Sequence, residues 1–173
     1  ARVIAALNVS DAVPALLKAV TATKSREQQI HYALCLRYLK NGWTSEAQSK
    51  LLDWYETTKD WEGGNSLPGY IRNIIVATSE QFTPADRRRF LEGWKSRPLS
   101  ARALLSFTQP EQIEGFDSLL ATLIPQFDSA ETGGEYFGLT IEALSRSQSP
   151  ASQVLLRKLF DEHADRRDII ARA

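Results

Sequence analysis

The chain has 173 residues, 43% of them hydrophobic and 24% charged, with 21 basic and 21 acidic side chains and a formal net charge of zero. That length suits one ordinary domain and the composition is typical of a soluble globular chain. The charge balance argues against a nucleic-acid or anionic-membrane surface as the main business, since both call for clustered positive excess. One cysteine excludes a disulfide framework, a CxxC redox pair and a cysteine-built zinc site, but leaves the redox compartment open. No apolar run approaches the ~20 residues needed to cross a bilayer. No charged-then-apolar leader is read at the start. A chain that opens at Ala1 in a helical pattern and contains no methionine is expected to be a piece of a longer one.

In chain order, the first predicted helix covers about 11–20 and carries Val13-Pro14-Ala15-Leu16-Leu17, with proline in the opening turn where its missing N–H costs nothing. The second covers about 26–40 and is apolar nearly all round (Ile30, Tyr32, Ala33, Leu34, Cys35, Leu36, Tyr38, Leu39), the pattern of an inner helix covered on both sides. A third, about 45–59, follows the start signal Thr44-Ser45-Glu46 and carries Leu51, Trp54 and Tyr55. A fourth, about 66–80, is capped by Asn65 or Ser66 and places Leu67, Tyr70, Ile71, Ile74 and Ile75 at helical spacing. Thr83-Pro84 with Asp86 starts a fifth over about 84–96, with Phe90, Leu91 and Trp94. Further helices are predicted at about 100–108, 112–127 (Phe116, Leu120, Leu123, Ile124, Phe127) and 134–147. The last begins at Ser149-Pro150 and carries Leu155, Leu156, Leu159 and Phe160. No stretch alternates long enough to make a strand. The chain is therefore all-α. Successive pairs begin roughly 30–40 residues apart, near the period of helical-hairpin repeats, which predicts an α–α superhelix of about four to five hairpins forming a single domain over 1–173. A closed helical bundle is the competing architecture.

Chemistry-bearing residues are few. His31 and Cys35 lie four apart, one turn beyond Glu27, and so share a helical face. Half a metal site or a thiol–imidazole pair is one reading; an edge histidine beside a cysteine acting as a small hydrophobe is the other, and no second cluster supplies more ligands. His163 sits in Asp161-Glu162-His163-Ala164-Asp165, which reads as a solvated helix end. Arg87-Arg88-Arg89 and Arg166-Arg167 read as solvated charge runs. There is no nucleophile elbow, no phosphate-binding glycine loop and no CxxCH haem attachment. The sequence thus nominates no catalytic, cofactor-binding or metal residue. Gly63-Gly64-Asn65-Ser66 precedes a helix start, where successive amides can make an anion-accepting concavity or simply turn the chain. Gly133-Gly134 stands in a similar setting. Trp43, Trp54 and Trp61 crowd around these turns, as a ligand platform or as packing between repeats.

The stretch Ile30-His31-Tyr32-Ala33-Leu34-Cys35-Leu36-Arg37, then Gly42-Trp43-Thr44, Trp54-Tyr55, Gly63-Gly64-Asn65-Ser66 and Gly69-Tyr70-Ile71, resembles the helical-repeat region of large planctomycete-type, c-type cytochrome-containing dehydrogenase-like proteins. The helix at Val13–Leu17 likewise looks like the first helix of a HEAT repeat. The resemblance covers about a third of the chain. It implies a HEAT-like solenoid, a periplasmic or exported setting, and a haem-c or dehydrogenase module elsewhere in the parent chain, with no cofactor held by this segment. The residues it marks as a binding or packing surface are Trp43, Trp61, Gly63, Gly64, Asn65, Ser66 and Tyr70. The expected function is a non-catalytic scaffold that contacts a protein or a neighbouring domain of its own chain, with no nucleic acid and no membrane span. Its rivals are an integral part of a redox enzyme packed against the haem domain, and a small-molecule or glycan-binding module.

Overall fold

The structure, a computed structural model, describes residues 11–128 and 133–172. The helical pattern read at Ala1 lies outside them. Among the described residues there are ten α-helices and no strand. They are α1 (Ala12–Ala22), α2 (Arg26–Leu36), α3 (Ser45–Thr57), α4 (Leu67–Ser79), α5 (Pro84–Glu92), α6 (Pro98–Phe107), α7 (Phe116–Asp128), α8 (Gly133–Arg146), α9 (Pro150–Glu162) and α10 (Arg167–Ala171). Single 3-10 turns occur at Thr58–Asp60, Pro110–Gln112 and Ala164–Arg166. By their contacts the residues group into two compact units. The first runs to Phe82 and takes in Trp94–Ala103; the second comprises Thr83–Gly93 and the chain from Leu104 onward.

The start signals behave as side-chain chemistry requires. Thr44 accepts the Ala47 N–H at 3.1 Å, and Thr83 and Asp86 form a reciprocal capping box at the head of α5. Ser149 accepts the Ala151 N–H at 3.1 Å at the head of α9. The exception is α4. Ser66 occupies the cap position in a helical conformation and its side chain caps nothing. Three predicted boundaries moved, each for a local reason. The second helix stops at Leu36 because the next two amides bond three residues back, Tyr38 to Cys35 and Leu39 to Leu36, and Gly42 then turns at φ 86°. Helix α5 stops before Gly93, whose N–H closes onto Arg89. The helix expected from 112 starts only at Phe116, because Gly115 holds φ 57°, which no right-handed helix contains.

In the first unit α1 packs most extensively on α2 and also on α3, while α2 and α3 each meet α4. Val13, Leu36, Leu51, Leu52 and Ile74 fill the space between them with at most 1% exposure. Each such side chain contributes about 1.5–3 kcal/mol by leaving water. The carboxylate of Glu56, on α3, reaches the head of α6 and accepts from Leu99 N, Ser100 N and Ser100 Oγ at 3.1, 2.8 and 2.6 Å. Helix α2 is not the doubly covered element its composition predicted. Ala33, Cys35, Leu36 and Leu39 are buried, but Ile30, Tyr32 and Leu34 are half-buried and Tyr38 is 56% exposed. Its first turn, Arg26-Glu27-Gln28-Gln29, is polar, and among the described residues the helix packs on α1 and α4.

In the second unit α7 packs on α8, α8 on α9, and α5 on α7, while α10 closes against α9 and α8. Phe127 and Tyr136 stack at 5.0 Å, and all five apolar positions predicted for α7 are buried. Helix α9 departs from expectation: Leu159 is buried, Leu155 and Leu156 are half-buried, and Phe160 is exposed beneath the Arg167 guanidinium. The arginine runs are solvated only in part: Arg89 and Arg167 are exposed, whereas Arg87 and Arg88 hold carbonyls. Arg87 is 4% exposed and donates to Gln112 O at 2.9 Å, and Arg88 donates to Glu114 O at 3.2 Å, so the pair braces the loop before α7. His163 is likewise not a solvated end: its ring lies 5.0 Å from Phe137, which Arg166 covers from 4.6 Å.

Candidate functional site

Five of the seven nominated residues meet in one place. Trp61, Gly63, Gly64, Ser66 and Tyr70 line an open groove of about 570 Å³ in the first unit, together with Arg26, Glu27, Ile30, Glu62 and Leu67. Helix α2 supplies one wall through its first turn, the start of α4 supplies the other, and the 61–66 segment forms the end. Trp61 is held edge-on against Trp54, with centroids 6.1 Å apart at 80°. Trp54 is 5% exposed and donates its indole N–H to Gln29 Oε1 at 2.8 Å, which fixes both rings. The Arg26 guanidinium lies 5.4 Å from the Trp61 ring centroid and donates to Glu62 O at 3.4 Å. A ligand stacking on that ring face must displace the guanidinium. Glu27 is hydrogen-bonded by Ser25 Oγ at 2.7 Å, which lowers its pKa and keeps it a carboxylate. Tyr70 stands 45% exposed on the first turn of α4.

The glycines are not there for backbone strain, since neither Gly63 nor Gly64 adopts the left-handed conformation. A Cβ on Gly63 would press on the half-buried Leu67 side chain, which would have to shift to admit it. A Cβ on Gly64 would meet nothing within 4 Å, so its bareness only leaves room in the groove. At the turn the Gly64 and Ser66 carbonyls accept from the Leu67 and Tyr70 N–H groups at 2.8 and 2.9 Å.

Two nominated residues lie elsewhere. Asn65 is exposed and does not line the groove. Trp43 is a packing residue: its indole N–H bonds Leu39 O at 2.8 Å, and its ring meets Phe82 edge-on at 5.9 Å. Gly134 sits in the first turn of α8 and makes no reversal. His31 Nε2 and Cys35 Sγ are 3.9 Å apart, with the thiol 3% exposed. Glu27 is engaged by Ser25 in the same stretch, and no group of three or more metal-ligating side chains assembles among the described residues. Arg26 and Ile30 were missed as site residues. The signal was present, because they lie four apart on α2 and so share the stripe that faces Tyr70. Chemically the groove offers aromatic and aliphatic contact, one guanidinium (Arg26) and two carboxylates (Glu27 and Glu62). Among the described residues no helix is long and apolar enough to cross a membrane. Comparison with protein-family models, with curated proteins and with solved structures found no match to this chain.

Proposed function

We propose that this chain is a non-catalytic, HEAT-like α–α superhelix segment that holds a protein partner, or a neighbouring domain of its own polypeptide, on the α2–α4 face around Trp61 and Tyr70. Its setting is an exported protein that carries a haem-c or dehydrogenase module. The observation that carries the reading is the mismatch in α2: of its apolar residues, Ile30, Tyr32 and Leu34 are only half-buried by the described residues. Tyr38 and Tyr70 stand exposed, with Ile30, Leu34 and Trp61 half-buried between charged neighbours. Tyrosine, tryptophan and arginine at partly dried positions are the residues that anchor protein interfaces. The test uses the protein purified from its source: intact mass, visible spectrum, and cross-linking through Lys59, which is exposed two residues before Trp61. A chain heavier than 19.4 kDa with a haem Soret band and Lys59 cross-linked to another domain supports the proposal. A colourless chain of this mass overturns the setting, and cross-links that leave Lys59 untouched overturn the surface.

A further inference from the structure

Between α2 and α3 the chain reads Leu39-Lys40-Asn41-Gly42-Trp43-Thr44, and both ends of this turn are fixed. The Leu39 N–H bonds Leu36 O at 3.0 Å, the Trp43 indole N–H donates to Leu39 O at 2.8 Å, and Thr44 caps α3 through the Ala47 N–H. Within that span Gly42 turns at φ 86°, a conformation that side chains with a Cβ rarely adopt. The turn therefore favours glycine directly after asparagine. Asn41 is exposed in a bend, and among the described residues neither its side-chain amide nor the Gly42 N–H makes a hydrogen bond. No side chain at 42 covers the peptide nitrogen, and nothing holds the Asn41 carboxamide away from it. Two other asparagines supply the comparison. Asn65 is also exposed but is followed by Ser66, whose Cβ crowds the same nitrogen. Asn73 lies inside α4 and precedes the β-branched Ile74, with its backbone held by helical bonds.

We infer that Asn41 is a self-modification site, which deamidates in the folded chain through a cyclic imide formed with its own backbone, with water as the co-reactant. The Gly42 nitrogen attacks Asn41 Cγ. The new N–C bond closes a five-membered ring, and the Cγ–Nδ2 bond breaks as ammonia leaves with the proton that Gly42 N carried. Water then opens the ring at either carbonyl, which leaves an aspartyl or an isoaspartyl residue at 41 and one new carboxylate. No oxidation or reduction is involved. This inference is independent of the α2–α4 surface. The experiment incubates the folded chain in mildly alkaline buffer and follows each asparagine by peptide mapping in a mass spectrometer. The expected result is conversion at Asn41 at least about tenfold faster than at Asn65 or Asn73, the rate equivalent of the crowding a Cβ imposes on the backbone. Asn41→Gln, whose longer side chain cannot close the five-membered ring, abolishes conversion at that position and leaves the helical circular dichroism unchanged. An Asn41 that stays intact in the folded chain while the guanidinium-unfolded chain converts overturns the inference, as does one intact in both. Conversion at Asn65 or Asn73 as fast as at Asn41 also overturns it, since the turn would then confer nothing.

Discussion

Replacing Glu56 with alanine removes the acceptor that ties α3 to the start of α6. Its two carboxylate oxygens serve three donors, Leu99 N, Ser100 N and Ser100 Oγ, at 2.6–3.1 Å. Loss of a helix cap costs about 1 kcal/mol. Ser100 is 0% exposed, so stranding its hydroxyl and amide adds about 1–2 kcal/mol, whereas water reaches the half-exposed Glu56 side and limits the loss at Leu99. The sum is about 2–3 kcal/mol, which for a chain of this size lowers Tm by about 5–10 °C. Glu56→Gln keeps one good acceptor and should lose about half as much by the same reasoning. Urea unfolding followed by circular dichroism measures both variants, and a double-mutant cycle with Ser100→Ala isolates the pair, with an expected coupling of about 1 kcal/mol. A Glu56→Ala variant within about 0.5 kcal/mol of wild type, the range of an ordinary surface change, would refute the argument that this carboxylate is a tertiary cap.

Burial pushes the Tyr55 phenol from 10.0 up to about 12, Glu56 adding to the rise while Arg72 and Arg102 oppose it. The unfolded chain therefore releases this proton near pH 10 while the folded chain keeps it. Stability from this group is full below pH 10 and drains between pH 10 and 12, by about 2.7 kcal/mol at most. The difference in unfolding free energy between wild type and Tyr55→Phe, measured from pH 9 to 12, should fall along that slope; a flat difference contradicts the assignment. Gly115→Ala should destabilise by about 1–2 kcal/mol, because φ is 57° and the new Cβ would stand 2.6 Å from Arg88 Nη1. Gly138→Ala, inside α8 with nothing within 4 Å of the added carbon, should instead stabilise by about 0.5–1 kcal/mol. Thermal melts of the two variants that shift in the same direction would count against this reading of the glycines.

Helix placement was legible because it depends on local rules: caps at Thr44, Thr83 and Ser149, and apolar spacing at Ile71, Ile74 and Ile75. What local rules do not contain is which apolar residues find partners. Leu155 and Leu159 look alike on α9, yet only Leu159 is buried, and the same ambiguity made α2 look like an inner helix. The arginine runs misled for a related reason. Composition scores Arg87 as a charge, whereas the fold uses it as a donor to a carbonyl 25 residues away. At the candidate site the Gly-Gly turn, Trp61 and Tyr70 were visible as a motif, while Arg26 and Ile30 became partners only once α2 and α4 packed together. Trp43 and Trp61 were indistinguishable in sequence, and their separate fates rest on which ring each found, Phe82 or Trp54.

The lone thiol of Cys35, set under the surface of α2 in a chain without methionine, has a chemical consequence. Every sulfur this chain owns is a single atom at a residue 3% exposed. Peroxide has no thioether to convert to a sulfoxide, and the thiolate that would begin the sulfenic–sulfinic ladder is shielded while the fold holds. Oxygen added at sulfur in this chain thereby reports unfolding instead of surface wear. A cysteine engineered at any exposed position would also take a maleimide label alone, with Cys35 left in place.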